Sequence, residues 1–173
     1  PHVLCFSSDG KLNKEFYDQK VQIHCIPMNT TIRGRLEWLM LVRKIILREK
    51  YDIVFPLLGM ATIYGSIAAK LAKTPVILNC QLNIGYWIKS KAKQMAVASV
   101  YKYIADGIMV NADYIKSSIT NTYNVNPKKI RVIYNGIRPS AFDIQEENRI
   151  MQIRGEMGCA KSTTVIGIAG RLH

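Results

Sequence analysis

The chain has 173 residues, 49% of them hydrophobic and 21% charged. That is the composition of an ordinary globular chain and excludes a disordered or collagenous one. Lys and Arg number 24 against 12 Asp and Glu, a net charge of +12, which favours partners bearing phosphate, anionic lipid or nucleic acid.

Taken in order, residues 3–6 read as a strand, 7–10 as a turn, 11–19 as a short helix and 21–26 as a second strand closed by Pro27. Thr31 is the expected N-cap of a long helix running to about residue 50. Its apolar stripe is Leu36, Leu39, Met40, Ile46 and Leu47, interrupted by Arg43. Residues 52–55 form a short buried strand, 59–73 a helix rich in alanine, and 75–79 another buried strand. A lysine-bearing helix covers 87–104, a strand 107–110, a helix 112–123 and a strand 130–134 ending in Asn135-Gly136. A helix over 146–157 and a strand over 163–169 complete the series.

Short strands rich in Ile and Val alternate with helices throughout. The expected fold is therefore α/β: a Rossmann-like parallel sheet with helices on both faces. Ligands of such sheets sit at the carboxyl ends of the strands. This directs inspection to residues 57–59, 81–85, Asn111, Asn135-Gly136 and Gly170-Arg171.

The charge is unevenly spread. No acidic residue lies between Asp52 and Asp106, whereas Lys70, Lys73, Lys89, Lys91, Lys93 and Lys102 all do. Lys89 and Lys93 share one helix face at i, i+4, which is the spacing for contact with anionic lipid or with water alone. The chain lacks the interleaved basic and aromatic strand residues of a nucleic-acid binder. The four cysteines, Cys5, Cys25, Cys80 and Cys159, are scattered without zinc-ligand spacing. They read as free thiols of a reducing compartment. No run of 18 apolar residues is present, and the opening residues carry no signal-peptide pattern.

Catalytic motifs of the common kinds are missing. Residues 155–162 approach GxxxxGK[ST], but Ala160 replaces the second glycine and the helix precedes the strand, so a helix end capped by Gly158 is the better reading. No GxGxxG follows a strand, and no Gly-x-Ser-x-Gly elbow exists. Asn135-Gly136 by itself reads as a plain turn favouring φ > 0. Gly170-Arg171, after an apolar strand, can turn the chain tightly and offer a guanidinium to a diphosphate.

One combination is more specific. The chain reads Ala105-Asp-Gly-Ile-Met-Val-Asn-Ala-Asp-Tyr-Ile-Lys116, then Tyr123-Asn-Val-Asn-Pro-Lys-Lys-Ile-Arg-Val-Ile-Tyr-Asn-Gly-Ile137, then Phe142, then Val165-Ile-Gly-Ile-Ala-Gly-Arg-Leu172. In order and spacing this resembles the retaining glycosyltransferases of family 4, which have the two-domain GT-B fold. They are typified by sucrose-phosphate synthase and by bacterial mannosyl- and lipopolysaccharide glycosyltransferases. Residues 1–104 fit more loosely, through Tyr51-Asp-Ile-Val54 and Thr74-Pro-Val-Ile77.

The resemblance implies that residues 1–143 form the acceptor-side domain, lacking its first strand. Residues 144–173 would form the linker helix and first strand of the nucleotide-sugar domain. It implies transfer of a sugar from a nucleotide sugar to a glycolipid, lipopolysaccharide or other polysaccharide acceptor, with retained configuration and with no metal or other cofactor. Gly170 and Arg171 would hold the donor diphosphate, and Asn135 and Gly136 would flank the interdomain cleft. The remaining donor groups would follow His173, so this chain alone is expected to be inactive. Gln81 stands at or near the place of a family histidine; it can bond a sugar hydroxyl but cannot take a proton. Phe55 and Leu57 replace other histidines, and Arg138 an acidic residue. The implied setting is bacterial and cytoplasmic, with peripheral contact at an anionic inner membrane face and no nucleic-acid partner. A non-catalytic α/β binding module with a basic surface is the alternative.

Overall fold

The computed structural model describes residues 1–7, 13–29, 31–57, 59–83, 90–136, 147–160 and 162–167. The chain divides into two compact units, Pro1–Asn135 and Gly136–His173.

The first unit is α/β, with parallel strands and helices on both sides. It opens with β1 (His2–Cys5), α1 (Asn13–Asp18) and β2 (Gln22–Cys25). Next come the long helix α2 (Ile32–Glu49) and the two-residue strand β3 (Ile53–Val54). A π-helical turn (Ala61–Gly65) leads into α3 (Ser66–Leu71), followed by β4 (Val76–Gln81). Helix α4 (Lys91–Ser99) runs into a second π-helical turn (Val100–Ile104) before β5 (Gly107–Val110). Helix α5 (Asp113–Tyr123), a 3-10 turn (Pro127–Lys129) and β6 (Ile130–Val132) complete the unit. The second unit contains α6 (Glu147–Glu156).

All pairings among the described residues are parallel, but the strands divide between two sheets: β1-β2, and β3-β4-β5-β6 in that order. Cys5 stands opposite Cys25 in the first, and all four thiols are free. In the second, Asp106 brackets Ile77: its Oδ2 accepts from Ile77 N at 2.8 Å and its own N donates to Ile77 O at 2.9 Å. Lys129 Nζ donates to the carbonyls of Lys102 and Ala105 at 3.0 and 2.9 Å. These bonds fix where β4, β5 and β6 start, and so align their carboxyl ends.

Helix α2 roofs both sheets. Thr31 caps it as expected, its Oγ1 accepting from Gly34 N at 3.1 Å. Lys50, left-handed at φ 52°, ends it. Gly34 is required by a close approach, since a Cβ there would lie 2.4 Å from Asn29 Cβ. Trp38, Leu39, Val42 and Ile46 pack with Ala68, Ala69, Ala72 and Ile77 in one core cluster. Trp38 also stacks at 5.1 Å on Phe6, just past β1, and donates Nε1–H to Ile26 O at 3.0 Å, just past β2. A second cluster lies between α4, α5 and strands β5 and β6, around Val97, Tyr101, Ile108, Val110, Ile115 and Ile119.

Several expectations need correction. Of the predicted α2 stripe, Leu39 and Ile46 are buried, but Leu36, Met40 and Leu47 are exposed. The wide Trp38 ring and Val42 take the inner arc and rotate those three outward. The strand at 52–55 is not buried throughout. It is an edge, so only Val54 packs against the α2 cluster, while Ile53 and Phe55 are exposed. Of the strand expected over 163–169, residues 163–167 form none, because nothing among the described residues pairs with them, and 168–169 lie outside the described residues. The positive φ favoured at Asn135-Gly136 is not adopted; the described glycines with positive φ are Gly59 and Gly158. Gly158, at φ +66°, does follow the end of α6, as the C-cap reading requires. The expected helices over 59–73 and 87–104 form, with π-helical turns, over their described residues.

Candidate functional site

The carboxyl ends of β4, β5 and β6 gather Gln81, Asn83, Asn111 and Asn135 at one end of the sheet. Side chains 77, 79 and 81 of β4 alternate onto the helix-covered face. Of these Ile77 is apolar, whereas Asn79 and Gln81 bring amides into a buried layer. Burying an amide is tolerable only when its groups are bonded. Here they are. Asn79 exchanges hydrogen bonds with Ser66 at 3.1–3.2 Å.

Gln81 is 2% exposed. Its Oε1 accepts from Tyr101 Oη at 2.8 Å, and its Nε2 donates to Asn83 O at 2.9 Å. The Tyr101 side chain thus reaches Asn83, the last described residue before position 90, through Gln81. Burial pushes the Tyr101 phenol well above its usual range, with Tyr123 and Cys80 adding to the rise. The phenol is a hydrogen-bond donor at any moderate pH, and Gln81 Oε1 is therefore fixed as the acceptor. The Tyr101 and Tyr123 rings meet edge-on at 6.1 Å.

Beside this network is a cavity of about 20 Å³ lined by Gln81, Asn83, Ile115, Ser118, Ile119, Thr122 and Tyr123. It holds roughly one water molecule. One face is the amide of Gln81 and the other the hydroxyl-bearing side of α5. At the end of β5, Asn111 Oδ1 is buried and has no hydrogen-bond partner among the described residues. Tyr134, past the end of β6, donates its hydroxyl to Asp113 Oδ2 in the first turn of α5. The carboxylate raises the affinity of that phenol for its proton.

Among the sequence-derived candidates, Gln81 lies in this cluster with both ends of its amide engaged. Asn135 and Gly136 are exposed, and they are the last residue of one compact unit and the first of the next. A Cβ on Gly136 would meet no neighbour within 4 Å among the described residues. Gly170, Arg171, Arg138 and Lys89 lie outside the described residues; Lys91 and Lys93 are exposed on α4. The sequence reading missed Tyr101, Ser66, Ser118 and Thr122. The alternation Ile77, Asn79, Gln81 was the available sign that polar partners must face β4. Among the described residues no group of three or more His, Cys, Asp or Glu could hold a metal ion.

This architecture resembles solved glycosyltransferases. Alr3699/HepE of Anabaena, solved with UDP, matches with a TM-score of 0.71 at 16% identity. The match covers 91% of this chain and 42% of that one; the same protein has also been solved with UDP-glucose. A glycosyltransferase from Rickettsia africae ESF-5 matches with a TM-score of 0.66 at 17% identity, over 94% of this chain and 42% of that one. The lipopolysaccharide outer core galactosyltransferase WaaB, in its apo form, gives 0.60 at 16% identity, over 79% and 36%. The chain therefore spans under half the length of the solved proteins it matches. At these identities the likeness establishes the fold, which is that of GT-B enzymes. No curated protein matches. The sequence profile of Glycosyltransferase Family 4 matches residues 1–141, and the chain belongs to that family.

Proposed function

We propose that the chain is the acceptor-side part of an enzyme that transfers a sugar from a nucleotide sugar to a glycolipid, lipopolysaccharide or other polysaccharide acceptor, with retained configuration. The observation that carries this reading is the family match over residues 1–141. Support for the donor comes from the neighbour of the same fold solved with UDP and UDP-glucose.

In this reading residues 1–143 form the acceptor side and residues 144–173 begin the donor side. Arg171 offers two N–H groups to the donor diphosphate, and Gly170 lets the backbone approach it. Asn135 and Gly136 flank the cleft. The leaving phosphate takes the acceptor proton on the face it departs from, so no side-chain base is required. The protein's task is to stabilise charge developing on that phosphate. Gln81 does no proton transfer; with Tyr101 it sets the position of Asn83. The reaction calls on no metal. The enzyme works at the inner, cytoplasmic face of a membrane, where a lipid-linked acceptor is within reach.

The test is a comparison of two proteins, the product of the complete reading frame and the 173-residue chain alone. Each is incubated with UDP-sugars and lipid-linked acceptors, and the product anomer is read by NMR. The full product is expected to transfer with retention and the chain alone to show no turnover. Inversion, or turnover by the chain alone, would overturn the respective part of the proposal.

A further inference from the structure

Helix α2 carries two apolar arcs, and only one is used in the core. At 100° per residue, Ile32, Leu36, Met40 and Leu47 fall within an arc of about 80° that begins next to buried Leu39 and turns outward from the packed side. They are 79%, 58%, 53% and 44% exposed. Leu71, at the end of α3, adjoins this arc and is 49% exposed. Arg43 makes the connection, its Nε donating to Leu71 O at 3.2 Å. Exposed apolar side chains grouped in this way on one side of a domain mark a surface that meets something.

The rim of this surface is cationic. Arg43 lies within the arc, Arg33 and Lys44 lie beside it on α2 with Arg48 further round, and Lys70 and Lys73 flank Leu71. Arg33 is paired with Glu37 and Arg48 with Glu49. Lys44, Lys70 and Lys73 have no ion pair among the described residues. The absence of any acid between Asp52 and Asp106 leaves the α3 side of the rim without carboxylates of its own. Apolar side chains rimmed by unpaired cations suit an interface whose surface is negative and whose interior is hydrocarbon. A second copy of the chain would bring like charges together and fits less well.

We propose that this face of α2, with the end of α3, docks on an anionic lipid bilayer. Leu36, Met40, Leu47 and Leu71 enter the boundary between headgroups and acyl chains, and Lys44, Lys70 and Lys73 meet lipid phosphates. This deepens the membrane setting proposed above by naming its surface. It moves that surface from the Lys89/Lys93 helix to α2.

The experiment is sedimentation with vesicles of phosphatidylcholine mixed with phosphatidylglycerol, and with pure phosphatidylcholine vesicles. The chain is expected to bind the anionic vesicles, to ignore the neutral ones and to release as salt is raised. Leu36→Ser with Met40→Ser should weaken binding about tenfold. Lys44→Glu with Lys70→Glu should weaken it more than about tenfold, at roughly fivefold or more for each lysine changed. Both pairs are exposed, and unchanged circular dichroism and melting would show that the variants fold. Lys91→Glu with Lys93→Glu, on α4, should have a smaller effect than either. Equal binding to both vesicle types, or no loss in the Leu36/Met40 variant, would overturn the proposal. So would a dimer in solution that the Leu36/Met40 variant dissociates, since a second copy would then cover the face. UDP-sugar transfer to a soluble acceptor, measured on the full product, reports on the enzymatic reading separately.

Discussion

The two sheets of the first unit are built from the same kind of parallel strand and held in different ways. In β4 and β5 nearly every second residue is buried, and Ile77, Asn79, Gln81, Ile108 and Val110 lie under helices. In β1 and β2 no residue is fully buried. A parallel pair needs cover and neighbours to be stable. Here β1 and β2 get most of theirs from side chains sent by others: Trp38 of α2, and Tyr51, whose hydroxyl lies 2.5 Å from His2 Nδ1. The four-stranded sheet is secured by its own interior. The two-stranded sheet is secured by side chains that come from outside it.

That contrast can be broken at its link. Trp38→Ala removes the ring that touches the ends of β1 and β2 and packs into the α3 and β4 cluster. It should cost about 3–5 kcal/mol, a large share of the stability of a domain this size. Amide exchange should then show β1 and β2 losing protection while β4 and β5 keep theirs. Uniform loss across both sheets would mean that they unfold as one. A smaller change sharpens the contrast from the other side. Tyr101→Phe keeps the ring but strips the proton from Gln81 Oε1, leaving a buried acceptor unpaired. It should cost about 1–3 kcal/mol in denaturant melts, with new exchange confined to β4 and Asn83. Protection of β1 and β2 should not change.

Much of this arrangement was legible in the sequence. The apolar runs at 75–79 and 107–110 announced the covered strands, and Thr31 announced the start of α2, because caps and buried strands are set by neighbours in the chain. The choice of inner arc on α2 was not legible. Both 32-36-40-47 and 38-39-42-46 recur at helical spacing, and periodicity cannot say which one finds a core. That is decided by Phe6, Ile26 and Ile77, which are remote in sequence. The site divides in the same way. Gln81 stood out through a family pattern, but its partner Tyr101 is 20 residues away, with helix α4 between them. Asn135 and Gly136 could be named but not given a conformation, since both are exposed and little among the described residues packs on them.

The buried Tyr101 phenol has a consequence for behaviour in alkali. An unfolded tyrosine releases its proton near pH ~10. The folded chain holds the Tyr101 proton beyond that point, because burial raises its pKa. Below about pH 10 both states carry the proton, and pH has no leverage through this residue. Above it the unfolded chain binds fewer protons than the folded one, so stability declines as pH rises. Of the 9 tyrosines, this one should report ionisation by ultraviolet absorbance only as the fold gives way. An alkaline titration in which all nine ionise before far-ultraviolet circular dichroism changes would show that the Tyr101 proton is not held by the core.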